Sequence, residues 1–362
     1  WEKAARKYEL PFGISFHADH AWTWYEPSQR YDREGPKAGI PYDGKLTKED
    51  GKGKWWEGYD PQDLYAQNHP LSEGSWSNGM IHKQWAWGKG VCLPTQEYCT
   101  NFYDRTLDAI NRYHPDLIYF DVTVLPFYPI SDAGLKIAAH FYNHNMADHK
   151  GKLEAVMLAK ILDEQQRKAL VWDVERGAPD RIIEEPWQSC SCIGGWHYNT
   201  SIYEHNGYKS AASVVKLLVD IVSKNGNLLL SVPLRADGTF DEKEEVILND
   251  LGDWMAVNKE GIIDTRPWKV FGEGTYNRAT SKEIRFTQTD KNLYAIVLAW
   301  PEEKQVIIKS LAAGSEQYPG KISRIDLLGY GKVTFTRTDQ GLIINMPDKR
   351  VNEIAPVFKI RK

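Results

Sequence analysis

The grammar of the chain changes once, near Pro267, and that change bounds the folds open to it. Before it, short apolar runs alternate with helical stretches. The runs are Pro11 to His17, Leu117-Ile118-Tyr119-Phe120, Leu153 to Ala159, Leu170-Val171-Trp172 and Leu228-Leu229-Leu230-Ser231. The helices read as Thr95 to Tyr113, Ala133 to about Met146, Ala211 to Ser223 and Glu242 to Asn258, after a helical start at Trp1 to Lys7. Strands this apolar cannot leave a sheet face in water, so the pattern implies parallel β/α architecture. An open dinucleotide-type sheet would show Gly-x-Gly-x-x-Gly after an early strand, and none is present. Polar residues follow strand after strand, at His17, Asp121, Lys160 and Asp173, where a closed barrel gathers its chemistry. The expected fold is a (β/α)8-type barrel. Beyond Pro267 come seven short β-type runs divided by turn signals such as Thr338-Asp339-Gln340-Gly341, the pattern of an antiparallel β-sandwich. The boundary should fall near residues 262–268, giving a catalytic barrel over 1–264 and a sandwich over 265–362.

Charge narrows the partners. With 45 Lys+Arg against 49 Asp+Glu there is no basic surplus, so a nucleic-acid partner is not expected. No apolar run approaches the roughly 20 residues of a membrane helix, so no membrane partner is expected either. Aromatic residues are abundant, with 14 Trp in the chain. An indole face matches the C–H face of a pyranose, but the same residues also suit a large core. Of the four cysteines, Cys190 and Cys192 are too close for an ordinary disulfide. Cys92 and Cys99 could be bridged, with nothing else to support it.

Asp121 ends an apolar strand, so it is either a carboxylate at the active rim or a loop cap. Glu175, in Trp172-Asp173-Val174-Glu175-Arg176, is either a second such carboxylate or a surface partner of Arg176. Two carboxylates at two strand ends are the minimum equipment for glycoside hydrolysis: one attacks the anomeric carbon and the other protonates the leaving oxygen. His17, His20, Trp22 and Trp24 follow the first strand, and Trp187, Trp196, His197 and Tyr198 form a second cluster. The first is not His-Glu-x-x-His and has no matching third ligand, so hydrogen bonding to sugar hydroxyls fits better than a metal. No Gly-x-Ser-x-Gly elbow supports serine chemistry. Residues 26–94, rich in Gly, Pro and Asp, also carry Trp55, Trp56, Trp76, Trp85 and Trp87. A segment this long should pack over the barrel's C-terminal face and contact the leaving group.

Asp116-Leu117-Ile118-Tyr119-Phe120-Asp121 resembles the nucleophile strand of the retaining α-L-fucosidases, glycoside hydrolase family 29. Pro186-Trp187-Gln188-Ser189-Cys190, followed by Gly195-Trp196-His197-Tyr198-Asn199, is similar to that family's Pro-Trp-Glu-x-Cys segment and downstream Trp-Gly-Tyr. The strongest match runs from Leu217 through Ser223-Lys224-Asn225-Gly226-Asn227 to Leu230 and on to Ala236-Asp237-Gly238-Thr239. The resemblance implies release of terminal α-L-fucose by a retaining mechanism, with Asp121 as nucleophile and Glu175 as acid/base, Glu185 competing for that role. In such a mechanism the two carboxyl groups lie about 5–5.5 Å apart. It further implies sugar contacts from His17, His20, Trp22, Tyr119, Lys160 (where Arg is more usual) and Trp196. It implies no metal or cofactor, a fucosylated oligosaccharide or glycoside as substrate, and a secreted, periplasmic or lysosomal setting. Oligomeric state is left open. An α-L-galactosidase-like relative and a non-catalytic carbohydrate-binding protein are the alternatives. The family's His-His pair is absent, and there is no room for two strands before Pro11, so the chain is expected to lack two barrel strands and to be poorly stable or inactive alone. Val122 and Gln188 depart from the family pattern and could shift specificity.

Overall fold

The structure, a computed structural model, describes residues 1–72, 90–275 and 280–361, and divides into two units, Trp1–Trp172 and Asp173–Lys362. In the first unit, α1 (Glu2–Lys7) is followed by β1 (Gly13–Phe16), a 3-10 turn over Ala18–Trp24 and the short α2 (Tyr25–Ser28). α3 (Gln96–Tyr113) then leads to β2 (Leu117–Phe120), α4 (Ala133–Asp148) to β3 (Val156–Ala159), and β4 (Val171–Glu175) begins as the unit ends. β1 pairs in parallel with β2, β2 with β3, and β3 with the start of β4. The Thr95 hydroxyl accepts from the Tyr98 N–H and caps α3. Buried Tyr98, Cys99, Phe102, Thr106 and Ile110 recur at three- and four-residue steps, so one stripe of this helix faces the core. That stripe meets Ile118, Phe120, Phe141 and Met157 in the unit's main cluster.

The second unit adds β5 (Trp187–Cys192), α5 (Thr200–Glu204), α6 (Ala211–Ser223), β6 (Gly226–Ser231) and α7 (Glu242–Asn258). β5 and β6 run parallel, in register from Trp187↔Gly226 to Cys192↔Ser231. β5 is absent from the sequence reading because Gln188-Ser-Cys-Ser-Cys192 carries no branched aliphatic residue. It works as a strand because small side chains fill the confined space: Ser189, Cys190, Ser191 and Cys192 are all buried. All four cysteines are free thiols, so Cys92 and Cys99 are not bridged. Gly226 is required by close approach: a Cβ there would stand 2.5 Å from the Trp187 ring and 2.8 Å from Ile221 Cγ2. Gly226→Ala should therefore cost roughly 1–3 kcal/mol by overpacking, read as a lower urea midpoint at unchanged slope.

The remaining strands are β7 (Arg266–Glu273), β8 (Ile284–Gln288), β9 (Asn292–Val297), β10 (Gln305–Ile308), β11 (Arg324–Leu327), β12 (Gly331–Lys332), β13 (Phe335–Thr338), β14 (Gly341–Asn345) and β15 (Val357–Arg361). They form two antiparallel sheets, ordered β10-β14-β13 and β12-β11-β15-β9-β8-β7. Phe286, Ala295, Ile325 and Phe358 from the larger sheet and Ile308, Leu342 and Ile344 from the smaller one share a single core, which makes a sandwich. α6 and α7 join a further cluster with β9 and β15, through Val215, Val219, Trp254, Ile296 and Val357. Packing therefore unites these helices with the sandwich although the local grammar changes between them. The described residues hold six parallel strands where a closed barrel has eight. Among them, no helix is long and apolar enough to cross a membrane.

Candidate active site

Register builds the centre of the site. Phe16 pairs with Phe120, so His17 and Asp121 follow one residue on. Tyr119 pairs with Leu158, so Asp121 and Lys160 follow two residues on, and all three stand in one row at the C-terminal ends of β1, β2 and β3. Adjacent strands lie about 4.8 Å apart, which brings three neighbouring side chains within reach of one another. Lys160 Nζ is 2.5 Å from Asp121 Oδ1 and His17 Nε2 is 3.1 Å from Asp121 Oδ2. The Tyr119 hydroxyl, two residues back and so on the same side of the strand, donates to Oδ1 at 3.3 Å. Burial pushes the Asp121 carboxyl up, but the Lys160 ammonium, His17 and the Tyr119 hydroxyl outweigh it and hold the group below its ordinary value. The outcome is a half-buried carboxylate, ionised through the mildly acidic range, at the mouth of a strand row.

Lys160 is the main cause of that ionisation, which gives a test. In Lys160→Met the carboxyl should rise, so a higher pH is needed to ionise it, and the acid limb of any pH–rate profile should move to higher pH. An unmoved limb would show that Lys160 does not set the ionisation.

The other expected residues of this unit divide. His20 is buried, packs edge-on against the His17 ring at 4.6 Å and lies 3.1 Å from Asp19 Oδ1 through its Nδ1. Asp19 was not singled out by sequence, although a carboxylate adjoining a histidine is a readable signal. Burial raises its carboxyl, against the opposing pull of His20. Trp22 is 0% exposed, with its Nε1 donating to the Cys92 carbonyl and its ring against Tyr98 and Phe127. It packs the core and presents no face to a sugar, contrary to expectation, because the 3-10 turn after β1 rotates it inward. The Trp24 side chain lies outside the described residues.

In the second unit Glu175 ends β4 and is exposed, while Glu185 is half-buried. Arg176 adopts φ +54°, donates its N–H to the Cys190 carbonyl and lays its guanidinium 4.8 Å over the Trp196 ring. Trp196 keeps 38% of its surface exposed. Gln188, where the resemblance leads one to expect Glu, donates to Asp173 Oδ1 at 2.8 Å, and the Cys190 thiol donates to Oδ2 at 3.1 Å. Asp173 is thus a buried acceptor for two residues of the Pro-Trp-Gln-x-Cys segment. Trp187 from the same segment is fully buried, donating to the Lys224 carbonyl, and belongs to the core.

A family model described as Alpha-L-fucosidase matches residues 1–260, and one described as Alpha-L-fucosidase C-terminal domain matches residues 276–361. Among curated proteins, the plasma α-L-fucosidase of Homo sapiens is 26% identical over 189 residues, covering 50% of this chain and 38% of the relative. The tissue α-L-fucosidase of Rattus norvegicus is 24% identical over 308 residues, covering 74% of this chain and 58% of the relative. The chain thus spans between 38% and 58% of the length of these relatives. A solved α-L-fucosidase superposes with a TM-score of 0.63 at 22% identity, covering 100% of this chain and 66% of that one. The Thermotoga maritima α-fucosidase in complex with fucose superposes with a TM-score of 0.61 at 20% identity, covering 99% and 66%. The parallel β/α barrel portion followed by an antiparallel β domain is the fold shared with them.

Proposed function

The chain belongs to the α-L-fucosidase family, and from that premise we propose that it removes terminal α-L-fucose from glycans or glycosides as a retaining exo-glycosidase. The carrying observation is the ionised Asp121 carboxylate, tethered by Lys160 and His17 at the end of β2. In the proposed reaction Asp121 attacks the anomeric carbon from the β face while the glycosidic C–O bond breaks and the leaving oxygen takes a proton from Glu175. Water, giving a proton back to Glu175, then displaces Asp121, so the released fucose keeps its α configuration. Lys160 and His17 serve as hydrogen-bonding groups for sugar hydroxyls as well as partners of the carboxylate, with Tyr119 and Trp196 as further sugar contacts and His20 bracing His17.

The test is exposure of the full-length protein to an aryl α-L-fucoside and, separately, to a 2-fluoro-fucosyl fluoride that arrests the covalent intermediate. Turnover, with the label on the peptide bearing Asp121, is the expected result. A label on another carboxylate would overturn the assignment, and binding of fucose without turnover or label would make the chain a carbohydrate-binding protein. Running the aryl α-L-galactoside in parallel tests the preference at C6.

The division into a catalytic portion over 1–264 and a sandwich over 265–362 belongs to the same proposal. It is supported by the end of the helical grammar at Lys259–Gly261 and by the two family models, which match 1–260 and 276–361. So does a substrate-shaping role for residues 26–94. Its described part, residues 26–72 and 90–94, is held together by buried Glu26, which accepts from Ser72 and faces His69, while the Tyr25 hydroxyl just before it donates to the Gly44 carbonyl. Burial would raise the Glu26 carboxyl, but His69 and Ser72 outweigh it and lower it. Trp55 is 95% exposed, whereas Trp76, Trp85 and Trp87 lie outside the described residues. Trp55→Ala should raise KM severalfold for a fucosylated oligosaccharide and leave it unchanged for an aryl fucoside. Equal effects on both would reject the role.

A further inference from the structure

At the opposite end of β2 from Asp121, three side chains that commonly bind metals converge. His114 caps α3 in the left-handed region, at φ +42°, and immediately precedes the approach to β2. His144 and Asp148 are four residues apart on α4 and so share one face. His114 Nδ1 is 2.8 Å from Asp148 Oδ2 and 2.9 Å from His144 Nε2, and His144 Nε2 is 3.5 Å from Asp148 Oδ2. We propose that His114, His144 and Asp148 form a site for a divalent transition-metal ion of zinc character that staples the end of α3 to the end of α4.

Distance supports this first. Zinc bonds of about 2.0–2.1 Å in a tetrahedron place neighbouring ligand atoms about 3.3 Å apart, close to the observed triangle. Two imidazoles and a carboxylate, with no thiolate, suit zinc better than magnesium or calcium, which prefer oxygen alone. His114, His144 and Asp148 line a cavity of about 220 Å³ together with Asn145 and His149, which leaves room for a water as fourth ligand. His144 is oriented from outside the triangle: the His140 ring stacks on it at 5.7 Å, and His140 itself is held by Asn111 Oδ1 at 2.7 Å. Such outer partners commonly hold a ligating imidazole in place.

Charge does not forbid the ion. Arg6 lines the same cavity, but one guanidinium nitrogen is 2.6 Å from Asp116 Oδ2 and the other donates to the His114 carbonyl at 2.6 Å. An imidazole ligates a metal in its neutral form, so with the Asp148 carboxylate the ligand set brings one negative charge to the ion. The side chains of His114 and Asp148 are 52% and 38% exposed, so an ion enters from solution without any opening of the fold. The strand between this site and Asp121 spans roughly 13 Å, so the ion takes no part in chemistry there.

The test strips the full chain with EDTA and titrates it with zinc chloride by calorimetry, with circular dichroism to verify that each variant is folded. The expected result is saturable binding that loses one equivalent, or weakens at least about tenfold, in both His144→Ala and the near-isosteric Asp148→Asn. His149→Gln, beside the cavity but outside the triangle, should bind as the parent does, and zinc should raise the thermal midpoint of the parent but of neither ligand variant. Absence of binding, or binding unchanged in both ligand variants, would overturn the proposal. An equal loss in His149→Gln would overturn the ligand assignment.

Discussion

Replacing Asp121 by alanine is expected to lower turnover of an aryl α-L-fucoside by a factor on the order of a thousand or more, because the covalent step loses its nucleophile. The loss should appear with good and poor leaving groups alike. Azide should restore turnover by attacking the substrate directly from the vacated β face, giving β-fucosyl azide. Glu175→Ala should behave differently. Substrates that leave without protonation should be cleaved nearly normally in their first step, whereas poor leaving groups should slow severely. Azide then meets the β-linked fucosyl-enzyme and yields α-fucosyl azide. These two product configurations separate nucleophile from acid/base without reference to absolute rates. If Glu185→Ala shows the leaving-group dependence and α-azide product instead, the acid/base belongs to Glu185 and the role of Asp121 is untouched. An Asp121→Ala variant that keeps more than about a tenth of the parent activity would remove the nucleophile assignment.

The second large effect concerns stability. Asp220 on α6 is almost wholly buried and answers two buried cations: Oδ1 accepts from Arg285 Nε at 2.6 Å, and Oδ2 from Lys224 Nζ at 2.7 Å. Arg285 comes from β8, so the carboxylate pins helix to sandwich, and the Phe271 ring lies under both cations at 5.5 and 4.7 Å. Asp220→Asn keeps the shape but leaves two positive charges in the interior without their counter-charge. A loss of about 3–5 kcal/mol is expected, measured by urea unfolding. Removing all three charges, as Asp220→Leu with Lys224→Met and Arg285→Leu, should cost less than the single change, since buried ion pairs exchanged for apolar groups are often close to neutral. A single variant within about 1 kcal/mol of the parent would show that the cluster is not a structural tie.

The strand-end residues were legible in advance for a simple reason. An apolar run that stops abruptly at a polar residue marks both the strand and its C-terminal end, and His17, Asp121 and Lys160 each occupy that position. The stripe of α3 and the helix α6 follow from a 3.6-residue period in the same way. β5 was not legible, because burial there comes from the smallness of Ser and Cys and leaves no apolar run to see. Trp22 and Trp187 illustrate a second limit. Their indoles are equally suited to stacking on a sugar or to filling a core, and only the direction of the chain after β1, and the closeness of Gly226 to Trp187, chose the core.

Sequence by itself determined what local periodicity and strand-end chemistry encode: parallel β/α elements, then antiparallel strands, and an aspartate at the C-terminal end of a parallel strand. Tertiary structure alone decided what depends on register and distance. The row of β1, β2 and β3 brings Lys160 and His17, far from Asp121 in the chain, onto its two oxygens and so holds it ionised. Packing of α6 and α7 against β9 and β15 groups these helices with the sandwich although their local patterns differ. His114 meets His144 and Asp148 because two helix ends stop at the same place. Hydrophobic pattern is a property of neighbours in sequence, whereas ionisation, ligation and unit boundaries depend on separations of a few ångströms that only the folded chain sets.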